Sequence, residues 1–179
     1  MTRLTITEAL SEINLLKKKL ESARNEMRTN LIRAKHMPDT FAAEGGLLKH
    51  NEAVMQSITD MGLRLVSIRS AIARANLANT ITIGSATRSI HDWLTWRREV
   101  MEADAKCISD ILARLRTHND TASRQPQVYK DAEGTVHLIE YELGLDIPAL
   151  LKQVDAFTEV REKLDGQLSL KNATIVIDF

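Results

Sequence analysis

The sequence is poor in cysteine, proline, glycine and aromatic residues, and each shortage excludes a class of fold or site. Its 179 residues contain one cysteine, three prolines and seven glycines, and 4% of them are aromatic. A single cysteine, Cys107, cannot form an intrachain disulfide or a cysteine-based zinc site. Turn-forming residues are scarce while Leu, Ile, Ala, Lys, Arg and Glu are frequent. The composition therefore favours long helices.

Long apolar runs and an excess of one charge are also absent. No run approaches the roughly 18–20 apolar residues of a transmembrane helix. The N-terminal residues lack the apolar core of a signal peptide. The 24 basic and 24 acidic side chains balance, so a strongly charged nucleic-acid binder is not expected. We expect a protein of the cytoplasm or of a virion, without a cleaved signal.

Charge is nevertheless divided unevenly along the chain. Residues 1–98 carry 15 basic and 9 acidic side chains, a net charge of +6. Residues 99–179 carry 9 basic and 15 acidic side chains, a net charge of −6. Two interpretations follow: the halves neutralise each other within one fold, or copies of the chain associate basic face to acidic face.

Apolar residues repeat with helical spacing in the first half of the chain. Thr5 and Glu8 have the spacing of a capping box, and a heptad pattern follows over 6–35. A second pattern, over 47–77, proceeds in steps of four and three. The two sets of positions are Ile6, Ala9, Ile13, Leu16, Leu20, Ala23 and Met27, and then Leu47, Asn51, Val54, Ile58, Met61, Leu65, Ile68, Ile72 and Ala75. Helices of similar length around a short Pro- and Gly-containing linker predict an antiparallel helical hairpin.

Two further helices are predicted, over about 86–117 and 147–170. Arg97 and Asp104 interrupt the apolar seam of the first of these. Asp146 can cap the second, and Pro148 suits its first turn. The two seams consist of Ile90, Leu94, Met101, Ile108, Ile111 and Leu115, and of Ile147, Leu150, Val154, Phe157, Leu164 and Leu168.

Short alternating segments predict a minor β component. Residues 80–83 alternate like a strand, and 128–129 and 136–141 flank a Gly-containing turn, which predicts a β-hairpin. The apolar segment 174–179 predicts a C-terminal strand. We expect this strand to pair with the hairpin, with 80–83 or with another chain, because an unpaired apolar strand promotes aggregation.

The predicted fold is mainly α. It is a coiled-coil-like bundle of about four helices forming long antiparallel hairpins, with a small β-hairpin and a C-terminal β-strand. We expect a helical bundle over 1–117, a loop and hairpin over 118–145, and a helix and strand over 146–179. These parts should pack together as one domain.

Three stretches carry a resemblance to a known family. They are Thr5-Ile-Thr-Glu-Ala-Leu10, then Ile72-Ala-Arg-Ala-Asn-Leu-Ala-Asn-Thr80 followed by Ser89-Ile-His-Asp-Trp-Leu94, and finally Leu145-Asp-Ile-Pro-Ala-Leu-Leu-Lys-Gln-Val-Asp155 with Leu164-Asp165 and Asn172-Ala-Thr174. In order and spacing the chain resembles the septicolysin-like family of small helical bacterial and phage-associated proteins. The segment around 118–135 and the C-terminal strand are longer than that pattern. The resemblance implies a helical hairpin scaffold with a small β element, and the family name implies a cytolysin; it implies no catalytic residues.

The sequence offers no recognisable catalytic, cofactor or metal site. Its glycines form no phosphate-binding motif. No two of the five histidines have the i,i+4 spacing of a helical metal site. Adjacent residues on a helix point apart, so His91 should lie at the surface rather than be oriented by Asp92. Cys107 has seam-like spacing and should be a small buried apolar residue. We therefore predict no enzyme activity, no cofactor and no small-molecule substrate.

Candidate interface residues come from the third helix and the C-terminus. Trp93 and Trp96 could anchor an interface or pack against the helical hairpin. Arg97 could pair with Asp104 of a neighbouring copy, or a local rotation of the helix could expose both. The C-terminal strand adds the last three candidates, Ile175, Ile177 and Phe179.

These observations favour a non-enzymatic structural or assembly protein whose partners are copies of itself and other structural proteins. A capsid decoration or a head–tail component of a phage would suit a stiff oligomeric scaffold. Two alternatives stay open. One is a membrane-active cytolysin, as the resemblance implies; the other is a nucleic-acid-binding accessory using the basic run 17–19, although acidic residues interleave with the basic ones nearby.

Overall fold

A computed structural model describes residues 2–125 and 127–179, and in these residues the chain is mainly helical. The elements in chain order are β1 (Arg3–Thr5), α1 (Ile6–Thr29), a 3₁₀ turn (Ala42–Glu44), α2 (Leu47–Ala78), β2 (Thr80–Ile83), β3 (Ala86–Ser89), α3 (Ile90–Trp96), a π-helical turn (Arg97–Met101), α4 (Glu102–Arg124), β4 (Val128–Lys130), β5 (Val136–Leu138), α5 (Ile147–Thr174) and β6 (Val176–Asp178). The fold class predicted from the sequence is confirmed.

The elements group into two compact units, one of residues 2–80 with 167–179 and one of residues 81–166. The domain bounds expected from the sequence, at 117 and 145, stay a prediction. In the first unit, α1 and α2 form the predicted antiparallel hairpin. Its buried core joins the seams of both helices to the C-terminal strand, with Ile6, Ala9, Ile13, Leu16, Ile68, Ala71 and Ile177.

The first helix is shorter than its apolar pattern predicts, because it ends at Thr29 rather than near 35. The carbonyl oxygen of Asn30 accepts a hydrogen bond from Asn51 Nδ2 at 2.9 Å, which ties the end of the helix to α2. Further along, Asp39 accepts hydrogen bonds from the amides of Phe41 and Leu47, at 2.9 and 3.1 Å. The linker is therefore an ordered loop held by hydrogen bonds. Residues 30–35, which were predicted to be the last part of α1, belong to this loop.

The C-terminal strand pairs with a segment that the sequence did not single out. β6 lies antiparallel to β1, with Leu4 opposite Ile177. The predictions that it would pair with the hairpin or with 80–83 are wrong, and pairing with another chain stays a prediction. The last residue of β1, Thr5, is also the N-cap of the Thr5–Glu8 capping box, which is present as predicted. A strand of three residues leaves no alternation to detect.

In the second unit, β2 and β3 form a two-stranded sheet around a turn that contains Gly84, at φ 60°. The predicted start of the third helix at residue 86 is therefore wrong. The helix begins at Ile90, where Ser89 Oγ accepts the amide hydrogen of Asp92 at 3.0 Å, and it continues through the π-helical turn to Arg124. Ser89 is thus a strand residue and an N-cap at once.

The predicted hairpin is present as β4 and β5, with Tyr129 opposite His137 and a positive φ of 84° at Gly134. The second strand ends at Leu138, three residues earlier than predicted. The last helix, α5, starts at the predicted Ile147 and runs four residues further than predicted, to Thr174.

Candidate interaction surfaces

The first predicted interface pair, Trp93 and Trp96, belongs to an aromatic cluster of the second unit. Trp93 is 4% exposed, and its indole Nε1 donates a hydrogen bond to the carbonyl of Ile81 at 2.9 Å. Trp96 is half-buried and meets Trp93 and Phe157 edge to face, with ring centroids 5.6 and 6.2 Å away. The structure thus places Trp93 inside its own unit and leaves part of Trp96 accessible.

Arg97 and Asp104 have different surroundings. The Arg97 guanidinium lies 2.6 Å from Asp165 Oδ1, so it has a partner within its own unit. Asp104 is exposed. A pair between Arg97 and Asp104 of a neighbouring copy stays a prediction, and it would have to compete with Asp165.

The three C-terminal candidates lie against the core of the first unit. Ile177 is 4% exposed, and Ile175 and Phe179 pack partly buried against the same core. The Arg64 guanidinium sits 5.4 Å from the centroid of the Phe179 ring, in the range of a cation–π contact. The last residues are therefore bound within their own unit.

A histidine that the sequence did not single out lies between two carboxylates. His50 Nδ1 is 2.8 Å from Glu44 Oε2, and its Nε2 is 3.0 Å from Glu26 Oε1. The ring also stacks on Phe41, with centroids 3.8 Å apart. The hydrogen bond with Glu44, and then that with Glu26, raises the pKa of His50. Glu26 lies 24 residues away in the chain, so no local motif announces this cluster.

His50 and its partners Glu44 and Glu26 form a structural link, which we call the clasp. A carboxylate on each ring nitrogen favours the protonated imidazole, which donates a hydrogen bond at both positions. The protonated ring has no lone pair free to bind a metal or accept a proton. The cluster joins the loop after α1 to both helices of the hairpin, which is a structural role.

Two other polar or reactive groups can be placed. Asp131 accepts hydrogen bonds from His137 Nε2 at 2.7 Å and from the amide of Thr135 at 2.8 Å. These bonds lower the pKa of Asp131, and they stabilise the hairpin turn.

Cys107 is exposed, so its predicted burial is wrong. Ile108 faces inward, and the neighbouring Cys107 is rotated by about 100° around the helix.

The hairpin exposes apolar side chains on one face. Val128 and Leu138 are opposite each other, Val136 is on the same face, and all three are more than half exposed. On the other face, Tyr129 stacks on His137 with ring centroids 5.2 Å apart. Three exposed apolar residues follow the hairpin: Tyr141, Leu143 and Leu145. We call Val128, Val136 and Leu138 the hairpin face.

The helix α2 is apolar on two sides. One side forms the core with α1, as predicted. The other side exposes five large residues that the sequence analysis passed over: Leu48, Met55, Leu63, Val66 and Leu77. The signal was available, because these residues follow a second set of steps, shifted by one or two positions from the core seam.

The larger hollows of the surface are open grooves. One groove in the first unit has a volume of about 670 Å³ and is lined by α1 and α2. Its charged residues include Glu12 and Arg64, which bind each other and so neutralise much of its charge.

Over residues 2–125 and 127–179, no set of three or more His, Cys, Asp or Glu side chains is arranged to hold a metal ion. No helix within those ranges is long and apolar enough to cross a membrane.

Comparison with known proteins identifies a shared fold. No protein-family model matches the sequence, and no curated protein is significantly similar to it. The chain is similar to a solved structure described as a functionally unknown conserved protein from Corynebacterium diphtheriae, with a TM-score of 0.64 and 14% sequence identity. The similarity covers 99% of this chain and 100% of that one. At this identity it shows the fold alone.

Proposed function

We propose that this chain is a non-enzymatic structural protein that assembles with copies of itself and with other structural proteins. The observation that carries the proposal is the hairpin face. A two-stranded hairpin is marginally stable alone in water, and here Val128, Val136 and Leu138 are exposed to solvent on one side of it. A protein surface of this kind is typical of an interface.

Unpaired strand edges support the same proposal. The strands form three separate two-stranded sheets within the part of the chain that the structure describes. Each such sheet has two edges whose backbone amides and carbonyls can accept another strand. Addition of a strand from a second subunit would pair these groups and cover the hairpin face in one step.

A phage or virus particle is the setting that we propose for this assembly, as a capsid decoration or a head–tail component. Long helical hairpins provide stiffness, and short β elements at their ends provide contacts. The resemblance to the phage-associated septicolysin-like proteins supports the setting. The structural neighbour from Corynebacterium diphtheriae shares the fold and adds no function.

The native mass of the purified protein tests the proposal. We expect light scattering to give a discrete oligomer over a range of concentration and salt. Replacing Leu138 by Asp puts a charge on the hairpin face and should lower the mass, whereas Leu138→Val keeps the face apolar and should leave it unchanged. Circular dichroism shows whether both variants fold. A monomer at every concentration would contradict the proposal.

A further inference from the structure

Residues 30–36 form a loop although their sequence suits a helix. They contain neither glycine nor proline, and the first proline after α1 is Pro38. Leucine, arginine, alanine and lysine, which occur in this segment, are among the better helix formers. The helix nevertheless ends at Thr29, with Asn30 at φ −97° and ψ 23°, and no residue of 30–36 takes the left-handed conformation that commonly ends a helix. The local sequence therefore carries no signal that stops α1 at Thr29.

The apolar seam of α1 also continues into this loop. Met27 is the last seam position within the helix, and Leu31 and Ala34 follow it in steps of four and three. In the loop, Leu31 is 65% exposed and Ile32 is 85% exposed. Within the part of the chain that the structure describes, the amides of residues 31–36 donate to no backbone carbonyl. About two more helical turns would give these amides the carbonyls of residues 27–32 as acceptors.

The contacts that fix the loop are polar. Asn51 Nδ2 donates to the carbonyl of Asn30 at 2.9 Å, and Arg33 Nε lies 3.7 Å from Asp39 Oδ2. Asn51 Oδ1 is buried and has no hydrogen-bond partner among the described residues, so the loop form leaves a polar atom unsatisfied. No residue of 30–46 is buried. The loop therefore has little apolar packing to set against a longer helix.

The clasp is the pH-sensitive contact of this loop. It ties Glu44 of the 3₁₀ turn to Glu26 of α1 through His50, whose ring also stacks on the uncharged Phe41. The α2 residues one turn from His50 carry no charge, being Gly46, Leu47, Ala53 and Val54. The two carboxylates raise the pKa of His50, Glu44 more than Glu26. A ring that has lost its proton keeps one N–H, so one carboxylate then faces a lone pair.

We propose that the end of α1 has two states that the clasp selects. While the clasp is closed, residues 30–36 form the loop described above. When it opens, the same residues join α1 as about two further turns. These turns end at residue 36, because the residue before Pro38 disfavours helical backbone. Residues 37–46 then remain as the connection to Leu47, and ten residues span up to about 33 Å.

The longer helix would place apolar side chains against α2. The hydrogen bond from Asn51 sets Asn30 level with it in the antiparallel hairpin, so Ala34 would come level with Leu47. Leu31 and Ala34 would then continue the seam of α1 along the first turn of α2. Loss of the proton thus exchanges polar loop contacts for helical hydrogen bonds and apolar packing. The device makes one end of the hairpin respond to pH, and it does not depend on the proposed assembly.

Backbone chemical shifts of residues 31–36 in the full chain test the proposal. We expect the Cα shifts to be those of a loop near pH 6 and to move to helical values as the pH is raised to about 9. The midpoint should coincide with that of the His50 ring signals in the same samples. Ala34→Gly should lower the helical population near pH 9 by roughly fivefold, because glycine is less favourable than alanine inside a helix.

Two histidine variants separate the clasp from a general effect of alkali. His50→Gln removes the titrating ring and should give helical shifts already near pH 6, with no further change up to pH 9. His36 is exposed and belongs to the loop itself, so His36→Gln is the matched control and should keep the transition. The shifts of residues 6–29 show whether each variant is folded. Loop shifts at every pH in both the natural chain and His50→Gln, or a transition that persists in His50→Gln, would overturn the proposal.

Discussion

Leu4 lies opposite Ile177, where the first strand of the chain runs antiparallel to the last. Ile177 is buried in the core that α1 and α2 build, and Leu4 packs against that core. Arg3 and Asp178 form an ion pair beside them, with Arg3 Nε 3.2 Å from Asp178 Oδ1. Both ends of the described chain are therefore part of the first unit's structure.

Truncating Ile177 should destabilise the first unit. Replacement of a buried isoleucine by alanine removes contacts and leaves a cavity, so Ile177→Ala should lower the free energy of unfolding by about 2–5 kcal/mol. The neighbouring Val176 points to solvent, so Val176→Ala should lower it by less than about 1 kcal/mol. Urea denaturation of both variants measures the difference, and equal losses would show that β6 does not pack as described.

Removing the indole N–H donor of Trp93 should lower the free energy of unfolding. Trp93→Phe keeps an aromatic ring but leaves the carbonyl of Ile81 without its hydrogen bond. An unpaired buried polar group costs about 1–3 kcal/mol, and the loss of ring volume adds to this. Trp96 is half-buried, so Trp96→Phe is the matched control and should have the smaller effect in thermal or urea denaturation. A larger effect for Trp96→Phe would contradict the cluster described here.

The clasp at His50 should make stability depend on pH. Its pKa is raised above the ordinary 6.5 in the folded chain, by Glu44 first and then by Glu26. The folded state therefore binds the proton more tightly than the unfolded state. The resulting stabilisation is complete below pH 6.5 and is lost as the pH rises through the raised pKa. His50→Gln should accordingly lose more stability near pH 6 than near pH 9.

Unfolding curves at several pH values test this expectation. His91 is exposed, and His91→Gln is the control for the loss of a histidine at the surface. A difference between the natural chain and His50→Gln that stays constant with pH would mean that the ring is not held as an imidazolium.

The helices could be predicted from the sequence because their seams are periodic and long. The start of α1 followed from the Thr5–Glu8 capping box, and the bounds of α2 from its pattern of apolar residues. The end of α1 could not be predicted, because Leu31 and Ile32 extend its apolar content although both are exposed. Just beyond the end of the helix, the carbonyl of Asn30 instead accepts a hydrogen bond from Asn51 of α2, 21 residues away in the chain.

The interaction surfaces were harder to predict, for two physical reasons. Contacts such as those of His50 with Glu26, or of Leu4 with Ile177, join residues far apart in the chain and leave no local pattern. The exposed apolar side of α2 did leave a pattern, but an apolar seam was already assigned to the same helix. A helix that is apolar on two sides is recognised only when the structure shows that one side is already packed against the core.

Two leucines, one in the core and one on the hairpin face, provide the most direct test of the account. Leu65 packs against the core, whereas Leu138 belongs to the hairpin face. We would measure native mass by light scattering, with circular dichroism, for the natural chain, Leu138→Asp and Leu65→Asp. The account predicts an oligomer for the natural chain, a folded protein of lower mass for Leu138→Asp, and loss of folded structure for Leu65→Asp. A natural chain that is monomeric, or a Leu138→Asp chain with unchanged mass, would contradict it.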